Sequence, residues 1–137
     1  MVTDRAIAGS CLCGATAYAL SSPYDRLEVC HCIQCRRANG SAFHMVVPVT
    51  EEQVEWQRRD RISEYESSPG KVRAFCSGCG APVYSRRDSR PGRLRLRAGL
   101  MPDLPKPRDL AQQYGEYALP WIETLAKLVA QPEEPVP

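Results

Sequence analysis

The chain has 137 residues and a formal net charge of +2, from 18 basic and 16 acidic side chains. That length suits one domain with its own core, and so even a charge balance gives no electrostatic reason to expect nucleic acid or an anionic membrane as partner. No apolar run approaches the roughly 18 residues that a bilayer span needs, and the opening Met1-Val2-Thr3-Asp4-Arg5 lacks the apolar stretch of a secretory signal, so the expectation is a soluble, cytoplasmic protein.

Short runs of alternating, β-branched or aromatic residues read as strands at 15–20 and 27–30. Residues 33–38 then lack glycine and proline and precede Asn39-Gly40, which predicts a short helical turn with a glycine stop. Strand-like runs resume at 42–49, 61–66, 71–75, 82–86 and 93–98, with turn signals at Ser68-Pro69-Gly70 and Arg90-Pro91-Gly92. After Pro120, residues Ile122, Leu125, Ala126 and Val129 share one helical face and predict a short amphipathic helix packed on the body. The proline-rich and acidic end reads as a loose tail, giving a mostly β domain over 1–131 and a tail over 132–137.

Seven cysteines cannot all pair with one another, and without an export signal the expected compartment is reducing. They fall in three clusters, Cys11-x-Cys13, Cys30-x-Cys32-x2-Cys35 and Cys76-x2-Cys79, whose spacings suit chelation of an ion better than disulfides within a cluster. Cys76-Ser77-Gly78-Cys79-Gly80 has the form of a zinc knuckle, and Cys11-Leu12-Cys13-Gly14 offers a second thiolate pair. Joined, the two pairs would make a closed tetrahedral four-thiolate site that is structural. Cys30, Cys32 and Cys35 would then be a three-ligand set, the catalytic pattern for zinc, with the fourth position left to water, substrate or another side chain. His31 or His44 could fill that position instead and make both sites structural. His31 lies between two cysteines of an extended segment, so its side chain points away from theirs.

The ordered motifs Gly9-Ser10-Cys11-Leu12-Cys13-Gly14-Ala15, Cys30-His31-Cys32-x2-Cys35-Arg36, Gly40-Ser41-Ala42-Phe43 and Phe75-Cys76-x2-Cys79-Gly80 resemble those of the glutathione-dependent formaldehyde-activating enzyme family, which includes the centromere protein V type. The resemblance extends from about Gly9 to Trp121. It implies a β-rich, zinc-stabilised fold of the β-tent or Mss4-like kind. It also implies two zinc ions, one structural on Cys11, Cys13, Cys76 and Cys79, the other on Cys30, Cys32 and Cys35 with the catalytic role and with partial occupancy as an option. The implied activity is carbon-sulfur lyase chemistry that joins formaldehyde to glutathione as S-hydroxymethylglutathione.

The pattern departs from the family near its end. Relatives often carry Gly-(Ser/Thr)-Leu-Asp-Asp-Pro, then Pro-x-x-His, then Ala-Pro-Trp. Here the chain reads Gly99-Leu100-Met101-Pro102-Asp103, a stretch over 107–112 with no histidine, and Leu119-Pro120-Trp121. The missing histidine favours a thiol adduct related to, but different from, the glutathione one.

Arg36, beside the second cluster, is a candidate for holding an anionic substrate, and Ser41 and Phe43 would line the approach to it, Phe43 as an apolar wall or as plain core. Arg93, Arg95 and Arg97 alternate with apolar residues and offer guanidinium groups that could clamp the carboxylates of a peptide-like thiol, but the ordinary reading of that strand is a solvated basic face. The leading expectation is an enzyme acting on a small thiol such as glutathione or its aldehyde adduct, with no nucleic acid and no membrane partner and with a homodimer left open. The alternative is a non-catalytic binding module scaffolded by zinc.

Overall fold

The computed structural model describes residues 5–21 and 24–128. Ten strands, β1 (Ile7–Ser10), β2 (Ala17–Leu20), β3 (Arg26–Cys30), β4 (His44–Thr50), β5 (Val54–Arg58), β6 (Ile62–Ser68), β7 (Lys71–Cys76), β8 (Pro82–Arg87), β9 (Arg93–Arg97) and β10 (Asp109–Gln113), carry the mostly β fold expected from the sequence. They form a three-stranded sheet in the order β1-β2-β5 and a seven-stranded sheet in the order β10-β3-β4-β9-β8-β7-β6. All pairings are antiparallel except β10 with β3, which run parallel.

Alternation decides which side of the large sheet meets the core. Leu27, Val47, Val49, Ala74, Tyr84, Leu94 and Leu96 are buried against Ile7, Tyr18, Leu20 and Val54 of the small sheet. Trp56 packs between Tyr18 and Tyr84, with ring centroids 5.3 and 6.0 Å away, and so joins the two layers. Pro48 has no N–H to donate. It falls beyond the last β3–β4 partner pair, Glu28 with Val46, where losing a donor costs no bond to β3.

The opposite face of the large sheet is polar. Register pairs Cys30 with His44, Val46 with Arg97, Pro48 with Arg95, Ser85 with both Arg95 and Arg73, and Lys71 with Arg87. Directly paired residues share a face. This side is therefore covered rather than solvated, which corrects the reading of β9 as a strand with an ordinary outer face: Arg93 is exposed, but Arg95 is half-buried and Arg97 only 5% exposed.

The helix α1 (Ile33–Asn39) lies where the sequence places a helical turn. It starts on Cys32 as N-cap and stops at Gly40, whose φ of 66° and N–H bond to the Arg36 carbonyl make an ordinary glycine C-cap. The expected amphipathic helix after Pro120 is instead a 3₁₀ turn, Ile122–Lys127, with Leu125 and Ala126 exposed; Val129 lies outside the described residues, as does the tail over 132–137. Hydrogen bonds from Ile122 to Leu119 and from Thr124 to Trp121 tighten this segment to three residues per turn, and at that pitch Ala126 turns away from the side that Ile122 and Leu125 share.

Candidate metal centres

The first cysteine pair sits in the turn between β1 and β2, and the second pair follows β7 in the turn to β8. Each closes on a glycine with φ of 77°, Gly14 or Gly80, whose N–H bonds back to the Cys11 or Cys76 carbonyl. A residue with a Cβ is disfavoured there. The two knuckles meet: Cys11, Cys13, Cys76 and Cys79 place their sulfurs within 4.8 Å of one another, with Cys11 to Cys13 at 3.7 Å and Cys13 to Cys76 at 3.8 Å. All are free thiols. Because β1 and β2 belong to one sheet and β7 and β8 to the other, this group ties the layers together.

The donor chemistry fits a cation. Backbone amides of Cys79 and Gly78 hold the Cys76 thiol down to about 6, and amides of Ala81 and Cys13 lower Cys79. The Ala15 amide pulls Cys13 down too, but the Cys11, Cys76 and Cys79 thiols and desolvation together outweigh it and push Cys13 up to about 11. Some thiols are readied as thiolates while a neighbour resists ionising beside them, and a divalent ion at the centre relieves that conflict.

A second group lies on the polar face of the large sheet. Cys30 ends β3, His44 opens β4 directly opposite it, and Cys35 projects from α1; their ligand atoms also lie within 4.8 Å of one another, and all three are buried. His44 is fully buried, and neither ring nitrogen has a hydrogen-bond partner. Cys32 stands at the helix N-cap, where its sulfur accepts the Cys35 N–H at 3.2 Å. The Thr16 N–H to Cys11 sulfur bond in the first group, at 3.3 Å, is of the same kind. Burial pushes Cys30 up to about 12. Burial raises Cys35 as well, but contacts with Cys32 and with Arg73, whose Nη2 lies 3.8 Å from its sulfur, outweigh burial and lower it.

His31 stands apart from this group. It is buried with Nε2 3.0 Å from Gln112 Oε1 and its ring tilted against Phe43. The parallel pairing of β10 with β3 brings Gln112 there, and the same pairing delivers the Gln113 side chain to Arg95 at 3.1 Å.

Cys30, Cys32 and Cys35 line one wall of a cavity of about 1000 Å³ whose other walls include Lys71, Arg73, Arg87 and Arg95. Of the three substrate candidates beside the cluster, none lines this cavity. Arg36 and Ser41 line a separate hollow of about 560 Å³ with Trp121, and Phe43 lies against His31. Sequence reasoning offered Arg95 as a carboxylate clamp but missed Lys71, Arg73 and Arg87. Their strands were legible, but which side of β7 and β8 would meet the cysteines depends on register across four strands.

These features define a small β protein with two converged sets of metal-ligand side chains, one at turn tips and one beside a cavity. The chain belongs to the glutathione-dependent formaldehyde-activating enzyme family, whose model matches residues 6–117. A crystal structure of a Rhodobacter sphaeroides protein shares the fold with a TM-score of 0.61 and 18% identity, covering 77% of this chain and 99% of that one. No curated protein matches the chain. Among the described residues, no helix is long and apolar enough to cross a membrane.

Proposed function

We propose that this protein is a zinc-dependent carbon-sulfur lyase acting on a small thiol and its aldehyde adduct. The observation that carries this reading is that Cys30, Cys32 and Cys35 together line a cavity large enough for a small molecule. In this reading Cys11, Cys13, Cys76 and Cys79 hold a structural zinc, and Cys30, Cys32 and Cys35 hold a second one. Bound zinc at the second site would supply Lewis acidity that turns a thiol with a free pKa near ~8.5 into a thiolate at neutral pH.

The chain's own residues do the rest. Arg73, touching Cys35, keeps positive charge beside the reacting sulfur, and the cationic walls orient an anionic substrate. In the forward direction the substrate sulfur forms a bond to the aldehyde carbon, the carbonyl π pair moves to oxygen, and the proton given up by the thiol ends on that oxygen. The reverse step breaks the carbon-sulfur bond and restores thiol and aldehyde. The test is exchange NMR of a thiol–formaldehyde adduct with the zinc-loaded chain. Interconversion faster than the uncatalysed rate is expected, and an unchanged rate would overturn the proposal.

His44 favours a second reading, because its unpartnered ring nitrogens lie within ligand reach of Cys30 and Cys35. If His44 completes that site, both ions are scaffolding and the protein is a binding module. His44→Ala separates the two: the enzyme reading expects two zinc ions per chain and retained exchange activity, whereas the scaffold reading expects the second ion to be lost.

A further inference from the structure

The cavity beside the second cysteine group carries far more positive charge than its thiols and carboxylates can balance. Lys71 is 2% exposed, and its ammonium has one neutral partner, the Ser85 hydroxyl at 3.2 Å. Arg73 is 8% exposed; it donates to Ser67 Oγ at 2.9 Å and touches the Cys35 sulfur, and its Nη1 is buried with no partner. Arg87 and Arg90 complete the set at the rim. Among the described residues, none of these four forms an ion pair with a carboxylate, whereas Arg95 is held by Glu28 at 2.7 Å. Glu116 is the acidic residue in the cavity wall.

Burying an ammonium without an anion is costly, so a fold that retains one there has a counter-charge to bring in. Three thiolates on a divalent ion carry one net negative charge and the substrate's own thiolate adds a second; together these offset Arg73 and Arg97, the latter buried with Nε and Nη1 unpartnered. Lys71, Arg87 and Arg90 against Glu116 then leave two positive charges unmatched. From this balance we infer that the cavity takes a thiol whose remaining charges are two negatives and no ammonium, of the dicarboxylate or phosphate-bearing class. A thiol with an α-ammonium, as in glutathione, would bring a further positive charge into a wall of guanidinium groups. This inference rests on the thiol reading of the second site and narrows its substrate class.

Isothermal titration of the zinc-loaded full chain tests it with five probes: mercaptosuccinate, succinate, glutathione, 2-mercaptoethanol and inorganic phosphate. Mercaptosuccinate should bind at least tenfold tighter than 2-mercaptoethanol or glutathione, and phosphate should compete with it. The advantage should shrink at least fivefold in Lys71→Met and in Arg87→Gln. Arg87 is exposed, so its variant keeps the test valid if the buried substitution disturbs folding. Glutathione or 2-mercaptoethanol binding as tightly as mercaptosuccinate would overturn the dianion inference and leave the thiol reading standing. Succinate binding as tightly as mercaptosuccinate would do the reverse, since the anion pocket would stand without any contribution from sulfur. An unchanged preference in both variants would overturn the assignment of these residues.

Discussion

Lys71 carries a charge that its burial opposes. Burial first, then Arg95, Arg87 and Arg73, push its pKa from 10.5 down to about 8, with the Cys35 thiol pulling the other way. Between those two values the unfolded chain binds more protons than the folded one, so this side chain makes stability rise with pH from about 8 to 10.5. At pH 7 it is charged in both states and its burial cost is fully present. Lys71→Met is therefore expected to exceed the parent chain in urea-unfolding free energy by on the order of 1–3 kcal/mol at pH 7, the gap closing as pH approaches 10.5. A gap that widens with pH would contradict this. At the other cluster, Cys76→Ser removes a fully buried sulfur shared by both sheets. Structural zinc contributes roughly 10 kcal/mol in small metal domains, comparable to the whole ~5–15 kcal/mol stability of a typical domain. The variant should show no cooperative melt by circular dichroism and should lose bound zinc.

Strand pairing adds constraints that single residues do not reveal. Gly9 of β1 faces Tyr18 of β2, and a Cβ at Gly9 would lie 2.4–2.6 Å from the Tyr18 ring and hydroxyl. Tyr18 is fully buried against Trp56 and has no room to retreat. Gly9→Ala should cost about 1–3 kcal/mol through overpacking, read as a lower melting temperature with unchanged zinc content. Seven strand-like runs and α1 were legible because their apolar residues alternate or their ends carry stop signals. β1, β5 and β10 were not. β1 is four residues long and includes Gly9, and β10, Asp-Leu-Ala-Gln-Gln, has no β-branched residue and owes its conformation to its parallel partner β3. The 122–127 segment carried a helical pattern, but an apolar face without a partner cannot hold a two-turn helix.

Across the whole molecule, the local cysteine clusters were readable from spacing, because Cys-x2-Cys followed by glycine has a local cause, whereas the convergent second set of Cys30, Cys35 and His44 was not. Nor was what surrounds them. His44 pairs with Cys30 through the register of β3 and β4, and the cationic wall is assembled from β7, β8 and β9, whose arginines are indistinguishable in sequence from ordinary surface residues. The resulting division of labour joins fold to function. One cysteine group fastens two sheets at their turn tips, and the other lies beneath a charged cavity on the face those sheets leave free. Cys35, on α1 rather than in either sheet, belongs to the second group and touches Arg73.

The most direct test of that division is adduct exchange by the Cys35→Ala chain, measured by NMR on protein whose zinc content has been determined. The account predicts one zinc retained, a cooperative melt, and exchange reduced to the uncatalysed rate. Exchange at the parent rate with one zinc lost would contradict it.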